Sequence, residues 1–245
     1  MQHLNHDDTV RGYLTQFIKW HEDNGYSTNY TGRHVKDLKS IMRVAHEERV
    51  HSNSTYMHRW FYVPKEVRKK IPLSVSELNR LISLNLDNEP YIDLSRDIFV
   101  LGCFVGLRIS DLKRLTPDHI YKDDHGLHIR MKTQKTGSEV EIPVGRNAFA
   151  ILQKYQFQLP SFTEQMINRH LKDLAQRIEL ERSRSERLSI HYSRATFAKM
   201  SYELGIPSMY IMKVTGHTSE KSFLRYINVS PTEAMVEFRK HDFFK

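Results

Sequence analysis

A tyrosine, two arginines, two histidines and a lysine stand in an order that phosphoryl-transfer chemistry can use. The stretch from His191 to Tyr226 opens on an H-x-x-R pair (His191, Arg194) and passes a Gly-His (Gly216, His217) after a helix break. It reaches Tyr226 nine positions on (226 − 217 = 9). An arginine offers a planar, permanently charged fork, so Arg194 together with Arg108 could neutralise the extra charge of a pentacovalent phosphate. Tyrosine is a nucleophile only when its proton, with a reference pKa near ~10, is removed or shared during attack. His191 is a candidate partner for that proton. The leaving oxygen of a phosphodiester needs a proton back, and Lys135, at the tip of a predicted hairpin, is placed to supply it. Each signal alone is weak: H-x-x-R is common on helix surfaces, a tyrosine near a helix end is usually packing, and K-T-G is an ordinary hairpin tip. The ordered set carries the weight.

The elements that must position these residues are mostly helices. Val10, Tyr13, Leu14, Phe17, Ile18 and Trp20 recur at helical spacing until Asn24-Gly25. A second helix follows, capped by Ser27 or Thr28, with Val35, Leu38, Ile41, Met42 and Ala45 as its stripe and Arg33, His34, Lys36, Lys39 and Arg43 on other faces. A short helix from about Thr55 to Phe61 completes a small helical unit over residues 1–63. VPKEVRKKIP then loses the apolar period, has prolines near both ends and carries Lys65, Arg68, Lys69 and Lys70, which marks residues 64–72 as a basic linker.

The second unit, residues 73–245, begins with a Ser74–Glu77 capping box. A helix from Pro90 to Gly106 leads into GLRISDLKRL, which places Arg108 at a turn before a new helix stopped by Pro117. Two or three short strands follow (His119 to Tyr121, LHIRMK, EVEIPV), and Lys135 lies in the second hairpin turn. Helices resume at Ala148–Tyr155 and Thr163–Arg177, and ERSRSER reads as a mobile polar connection. A helix runs from His191 to Leu204, another starts at Pro207 and breaks at Gly216, a short one carries Tyr226, and a last one spans Pro231 to Lys240. The fold class is therefore mainly α with a small antiparallel β-sheet, in two domains.

Thirty-seven Lys and Arg against 29 Asp and Glu give a net charge of +8 and a pI near 9.4, compatible with a polyanionic partner and also with an ordinary basic protein. One cysteine, Cys103, excludes an internal disulfide framework and fits a reducing compartment. It sits in IFVLGCFVGL, about half the ~20 residues a membrane span needs. The N-terminus has no apolar signal core, so a cytoplasmic location without membrane attachment is expected. The histidines fall in no metal-ligand spacing, and neither a metal nor a cofactor is called for.

The order GLRISDL, K-T-G, H-x-x-R, G-H and Tyr226 resembles the tyrosine recombinase (phage integrase) family over nearly the whole chain. The resemblance assigns catalytic roles to Arg108, Lys135, His191, Arg194, His217 and Tyr226, and a supporting acidic role to Asp111. Lys132 competes for the hairpin role, which the K-T-G context assigns to Lys135. Ala195 stands where many relatives have His, VTGH replaces the commoner L-G-H, and the arm-binding domain of many integrases is not seen. The family implies site-specific recombination through a 3′-phosphotyrosine and a Holliday junction, on double-stranded DNA clamped between a core-binding and a catalytic domain. It also implies a homotetramer on two paired sites, with accessory DNA-bending or directionality factors as further partners. Arg33, Lys36, Lys39, Arg43, Lys65, Arg68, Lys69 and Lys70 are the candidate DNA contacts. The C-terminal helix would dock on a neighbour or on its own domain. Rival readings are a type IB topoisomerase and a non-catalytic DNA-binding regulator.

Overall fold

The computed structural model describes residues 6–66, 72–227 and 231–239. The chain divides into two compact units, Met1–Arg68 and Lys69–Lys245.

In the first unit, α1 (His6–Asp23) and α2 (Thr28–Glu47) pack around Leu14, Val35, Tyr56 and Phe61. Ser27 is the cap of α2, its hydroxyl accepting from the Tyr30 amide at 3.3 Å. Where a short α-helix is predicted, only a 3-10 turn forms, Thr55–Met57. The side chains of His51 and Asn53 take the amides of Asn53 and Thr55, which diverts local donors from a helical pattern. The expected stripe of α2 is also revised. Lys39 turns toward Phe61, where its ammonium donates to the Phe61 carbonyl at 2.7 Å and lies over that ring at 5.5 Å from its centroid, while Leu38 and Ile41 are exposed. Gly32 lets the chain at Pro64 lie against α2: a Cβ there would stand 1.9 Å from the Pro64 carbonyl oxygen. Asn29 then holds the Glu66 backbone with two hydrogen bonds of 3.0 Å. Residues 64–66 of the expected linker are thus fastened to this unit, and 67–71 lie outside the described residues.

The second unit is built on α4 (Pro90–Val105), which follows α3 (Val75–Ile82) and its Ser74–Glu77 capping box. Ten of the residues of α4 are buried, as an all-round apolar helix requires. After it come α5 (Ile109–Leu112), then β1 (Ile120–Asp123), β2 (Gly126–Lys132) and β3 (Glu139–Pro143) in an antiparallel sheet of that order. The register pairs Ile129 with Ile142 and Met131 with Val140, all buried, and puts Arg130 opposite Glu141 on the exposed face. Helices α6 (Arg146–Lys154) and α7 (Glu164–Arg177) pack on α4. Buried Asp97 fastens α6 by accepting from Lys154 and from the Tyr155 hydroxyl, and also accepts from Arg96.

ERSRSER is not a loose connection: it contains α8 (Arg182–Ser185), with Ser185 buried and Arg184 bonded to both Glu77 oxygens and the Pro72 carbonyl. Its polarity serves internal ion pairing, which composition cannot separate from solvation. The chain continues through α9 (His191–Glu203), α10 (Ser208–Thr215), α11 (Glu220–Ile227) and α12 (Pro231–Phe238). Cys103 is buried beside Thr196, and burial pushes its thiol well above the ordinary range, which makes it unreactive. Among the described residues no helix is long and apolar enough to cross a membrane, and no group of three or more His, Cys, Asp or Glu could hold a metal ion.

Helix α9 reaches α4 through small residues. A Cβ on Gly102 would lie 2.5 Å from the Ser193 hydroxyl oxygen, so the two helices cross at that pair. Gly106 ends α4 with φ +64°, and a Cβ there would stand 2.4 Å from the Phe197 ring. Gly106→Ala therefore combines left-handed backbone strain with overpacking, together about 2–4 kcal/mol. A thermal melt should drop by roughly 6–12 °C; an unchanged melt would show that this crossing is not tight.

Candidate active site

Two glycine turns and one buried arginine organise the site. Gly106 after α4 and Gly216 after α10 both adopt positive φ, +64° and +57°. Arg194, on the second turn of α9, is 7% exposed and donates from Nη1 to the Gly106 carbonyl and from Nη2 to the Thr215 carbonyl. It is a bracket between the two turns. Arg108, which precedes α5, lies against the second turn: a Cβ on Gly216 would be 3.0 Å from its Nη2. Nη1 of Arg108 is buried with no hydrogen-bond partner among the described residues. Two guanidiniums are thus held together in a partly dry site. Burial, and then the neighbouring Arg108, push Arg194 down to about 10, and it remains a cation at neutral pH. Such a pair is a ready receptor for an anion that supplies the missing acceptors.

Tyr226 stands on α11, seated by packing. Phe223 and Ile227 of that helix are buried with Ala198 and Ile211, and Phe197, Met212 and Tyr226 pack against them. Burial pushes the Tyr226 phenol up to about 12, against the opposing pull of Arg194 and Arg108. The His217 ring lies against the phenol, with centroids 4.7 Å apart and planes tilted by 53°. The Phe223 ring meets His217 in a T-shaped arrangement with centroids 5.6 Å apart.

The structure therefore brings Arg108, Arg194, His217 and Tyr226 into one cluster. His191 is placed differently: it starts α9, is 60% exposed at the side chain and lies 3.3 Å from Glu164 of α7. The ring packed on the tyrosine belongs to His217. Lys135 is exposed on the turn between β2 and β3, and Lys132 is exposed at the end of β2, with its Cε beside Gly137. Asp111, fully buried, ties that turn to the arginine segment: its Oδ1 accepts from the Gln134 amide at 2.8 Å, one residue before Lys135. Its charge also counters the depression of Arg194. Asp111→Asn keeps an acceptor for Gln134 and is expected to retain about a tenth of the parental rate of phosphoryl transfer, whereas Asp111→Ala frees the hairpin and loses about 10²-fold or more. Single-turnover cleavage compares them; equal rates for both variants would remove Asp111 from the positioning of the lysine turn.

Of the candidate DNA contacts, Arg33 and Arg43 lie 4.0 and 3.9 Å from Asp37 and Glu47 in exposed pairs, too weak to withhold them from phosphate. Lys36 and Lys65 are exposed, Lys39 is occupied by Phe61, and Arg68, Lys69 and Lys70 lie outside the described residues.

The sequence profile of the phage integrase family matches residues 73–233, a span that holds every member of this cluster. The chain belongs to the phage integrase family. It is a site-specific recombinase, an enzyme that breaks and rejoins DNA strands. Tyrosine recombinase XerC of Leptospira interrogans is 25% identical over 246 residues, covering 94% of this chain and 76% of its own. The integrase of transposon Tn1549, solved with circular intermediate DNA, shares the fold with TM-score 0.64 and 17% identity, over 92% of this chain and 84% of that one. A lambda integrase tetramer bound to a Holliday junction aligns with TM-score 0.69 and 16% identity, over 88% of this chain and 64% of that one.

Thr215, Ser193 and Gly106 carry no role in the sequence motif, although Gly106 ends a predicted helix. The signal for Thr215 was present, since VTGH departs from the family's usual L-G-H; Ser193 shows only once α4 and α9 are packed.

Proposed function

We propose that this recombinase cuts DNA by attack of Tyr226 on a backbone phosphate, leaving a 3′-phosphotyrosine and a free 5′-hydroxyl. The observation that carries this reading is the enclosure of Tyr226 by His217, Arg108 and Arg194. Arg108 and Arg194 hold the non-bridging oxygens and take up the charge that builds on phosphorus. His217 receives or shares the phenol proton. Lys135, on the turn that Asp111 fixes, returns a proton to the departing 5′ oxygen. His191, one helical turn before Arg194, supports the phosphate from the exposed rim with Glu164 behind it. Bond energy is kept in the phosphotyrosine, so the 5′-hydroxyl of a partner strand rejoins the DNA without a nucleotide or a metal.

Residues 1–63 serve as a core-binding domain that grips double-stranded DNA through Arg33, Lys36 and Arg43, with Lys65, Arg68, Lys69 and Lys70 of the 64–72 linker on the same backbone. Residues 73–245 are the catalytic domain. Exchange proceeds through a Holliday junction in a tetramer on two paired sites, a reading supported by the lambda integrase assembly and by exposed Met235 and Val236 on α12, which suit docking on a neighbouring subunit. The DNA it works on is cytoplasmic, and accessory DNA-bending or directionality factors set the outcome. The test is recombination itself. A nicked suicide site should give an SDS-resistant protein–DNA adduct, and two duplex sites should give recombinant products; relaxation of supercoils without recombinants would instead favour a topoisomerase.

A further inference from the structure

The turn that links α10 to His217 contains a hydrogen-bond relay that the strand-cleavage reading does not use. Thr215 is 1% exposed. Its hydroxyl Oγ1 donates to the Ile211 carbonyl at 2.8 Å and lies 2.8 Å from His217 Nδ1. A hydroxyl has a single proton and a carbonyl can only accept. With that proton committed to Ile211, the second contact must run the other way, from Nδ1–H to the threonine oxygen. The neutral ring is then the Nδ1–H tautomer, and Nε2 carries the lone pair.

We propose that Thr215 is a positioning residue that fixes the tautomer and plane of His217, so that Nε2 is the nitrogen offered to the Tyr226 phenol. The proposal rests on the assignment of Tyr226 as nucleophile. The same residue also contributes its carbonyl to Arg194, and Gly216 next to it leaves the space Arg108 occupies, so one short turn sets the histidine and both arginines. Among the described residues, the charged and titratable groups set against this turn are Tyr226 from α11, Arg194 from α9 and Arg108 from the start of α5, with Asp111 acting on Arg194. A hydroxyl at this position is a feature of this chain's VTGH. A leucine there would fill the space and leave Nδ1 to find another acceptor, so either nitrogen could carry the proton.

Thr215→Val keeps the shape and removes the hydroxyl, and Thr215→Ser restores it. Single-turnover cleavage of a nicked suicide site is measured for both variants and the parent from about pH 6 to pH 9, across the range in which a histidine titrates. Thr215→Val should cleave about 10- to 100-fold more slowly with a changed pH dependence, and Thr215→Ser should recover to within about threefold, as expected for a misplaced general base. DNA affinity should stay within about twofold in both, because the effect acts through His217 and not through phosphate binding. A parental rate and pH profile in Thr215→Val overturns the proposal, and so does a slow variant with an unchanged profile that serine fails to rescue, which would mean packing alone. Nitrogen-15 imidazole shifts of the parent provide an arm that needs no variant to fold: protonated Nδ1 at His217 supports the relay, and protonated Nε2 overturns it. Absence of any adduct from the parent would instead sink the nucleophile assignment, a separate failure that the imidazole shifts distinguish.

Discussion

Arg194→Ala is expected to slow strand cleavage by about 10³- to 10⁵-fold while leaving DNA affinity within a few-fold, the range seen when an arginine that stabilises a phosphoryl-transfer transition state is removed. The reasoning is geometric. Arg194 is one of two cations at the tyrosine, and its fork also spans the Gly106 and Thr215 carbonyls. Alanine removes the charge and strands two buried acceptors, at about 1–3 kcal/mol each, offset in part because a desolvated cation is no longer buried beside Arg108. Arg194→Lys separates the two effects. It restores the charge but bridges only one carbonyl, so it should recover about tenfold over alanine and stay far below the parent. Circular dichroism and a binding isotherm accompany the rates. An alanine variant that cleaves within about tenfold of the parent would mean that the bracket is architectural and the charge is supplied elsewhere.

Tyr226→Phe should eliminate the covalent adduct, a loss of at least about 10⁴-fold, with the fold intact. One oxygen is removed, while the ring keeps its seat against Phe223, Ile227 and Ile211. The raised phenol bears on how attack occurs. With a pKa of about 12, only roughly 10⁻⁵ of the side chain is phenolate at pH 7, too little for a pre-ionised nucleophile. Proton loss must accompany attack, which requires an acceptor in contact. Cleavage should therefore speed up as pH rises until that acceptor is fully basic, then level off below the phenol's own titration. A parent whose rate keeps climbing towards pH ~12 would show instead that free phenolate does the work.

The fold was legible where burial and period coincide. IFVLGCFVGL reads as a buried helix because it is apolar all round, and the strands LHIRMK and EVEIPV show in the alternation of Ile129, Met131, Val140 and Ile142 with polar and charged neighbours. It was illegible where polar residues do internal structural jobs. Lys39 looks like a surface cation and covers Phe61, ERSRSER looks like solvent-exposed chain and anchors Glu77, and α9 has no apolar stripe because small Ser193 and Thr196 meet Gly102 and Cys103 of α4 while Ala198 packs on Ile211 and Phe223. The site was legible as a set of residue types, since Arg108, Arg194, His217 and Tyr226 stand out by motif. Their mutual arrangement was not: that His217 meets the phenol while His191 faces Glu164, and that Arg194 holds two main-chain turns, depend on where the helices end.

The central claim is that Tyr226 carries the DNA during exchange. The most direct measurement is to trap the adduct on a nicked suicide site, digest protein and DNA, and locate the modified residue by mass spectrometry. A nucleotide phosphate esterified to the Tyr226 oxygen, through the 3′ end of the strand, is the predicted result; the phosphate on any other residue, or joined through a 5′ end, would contradict it.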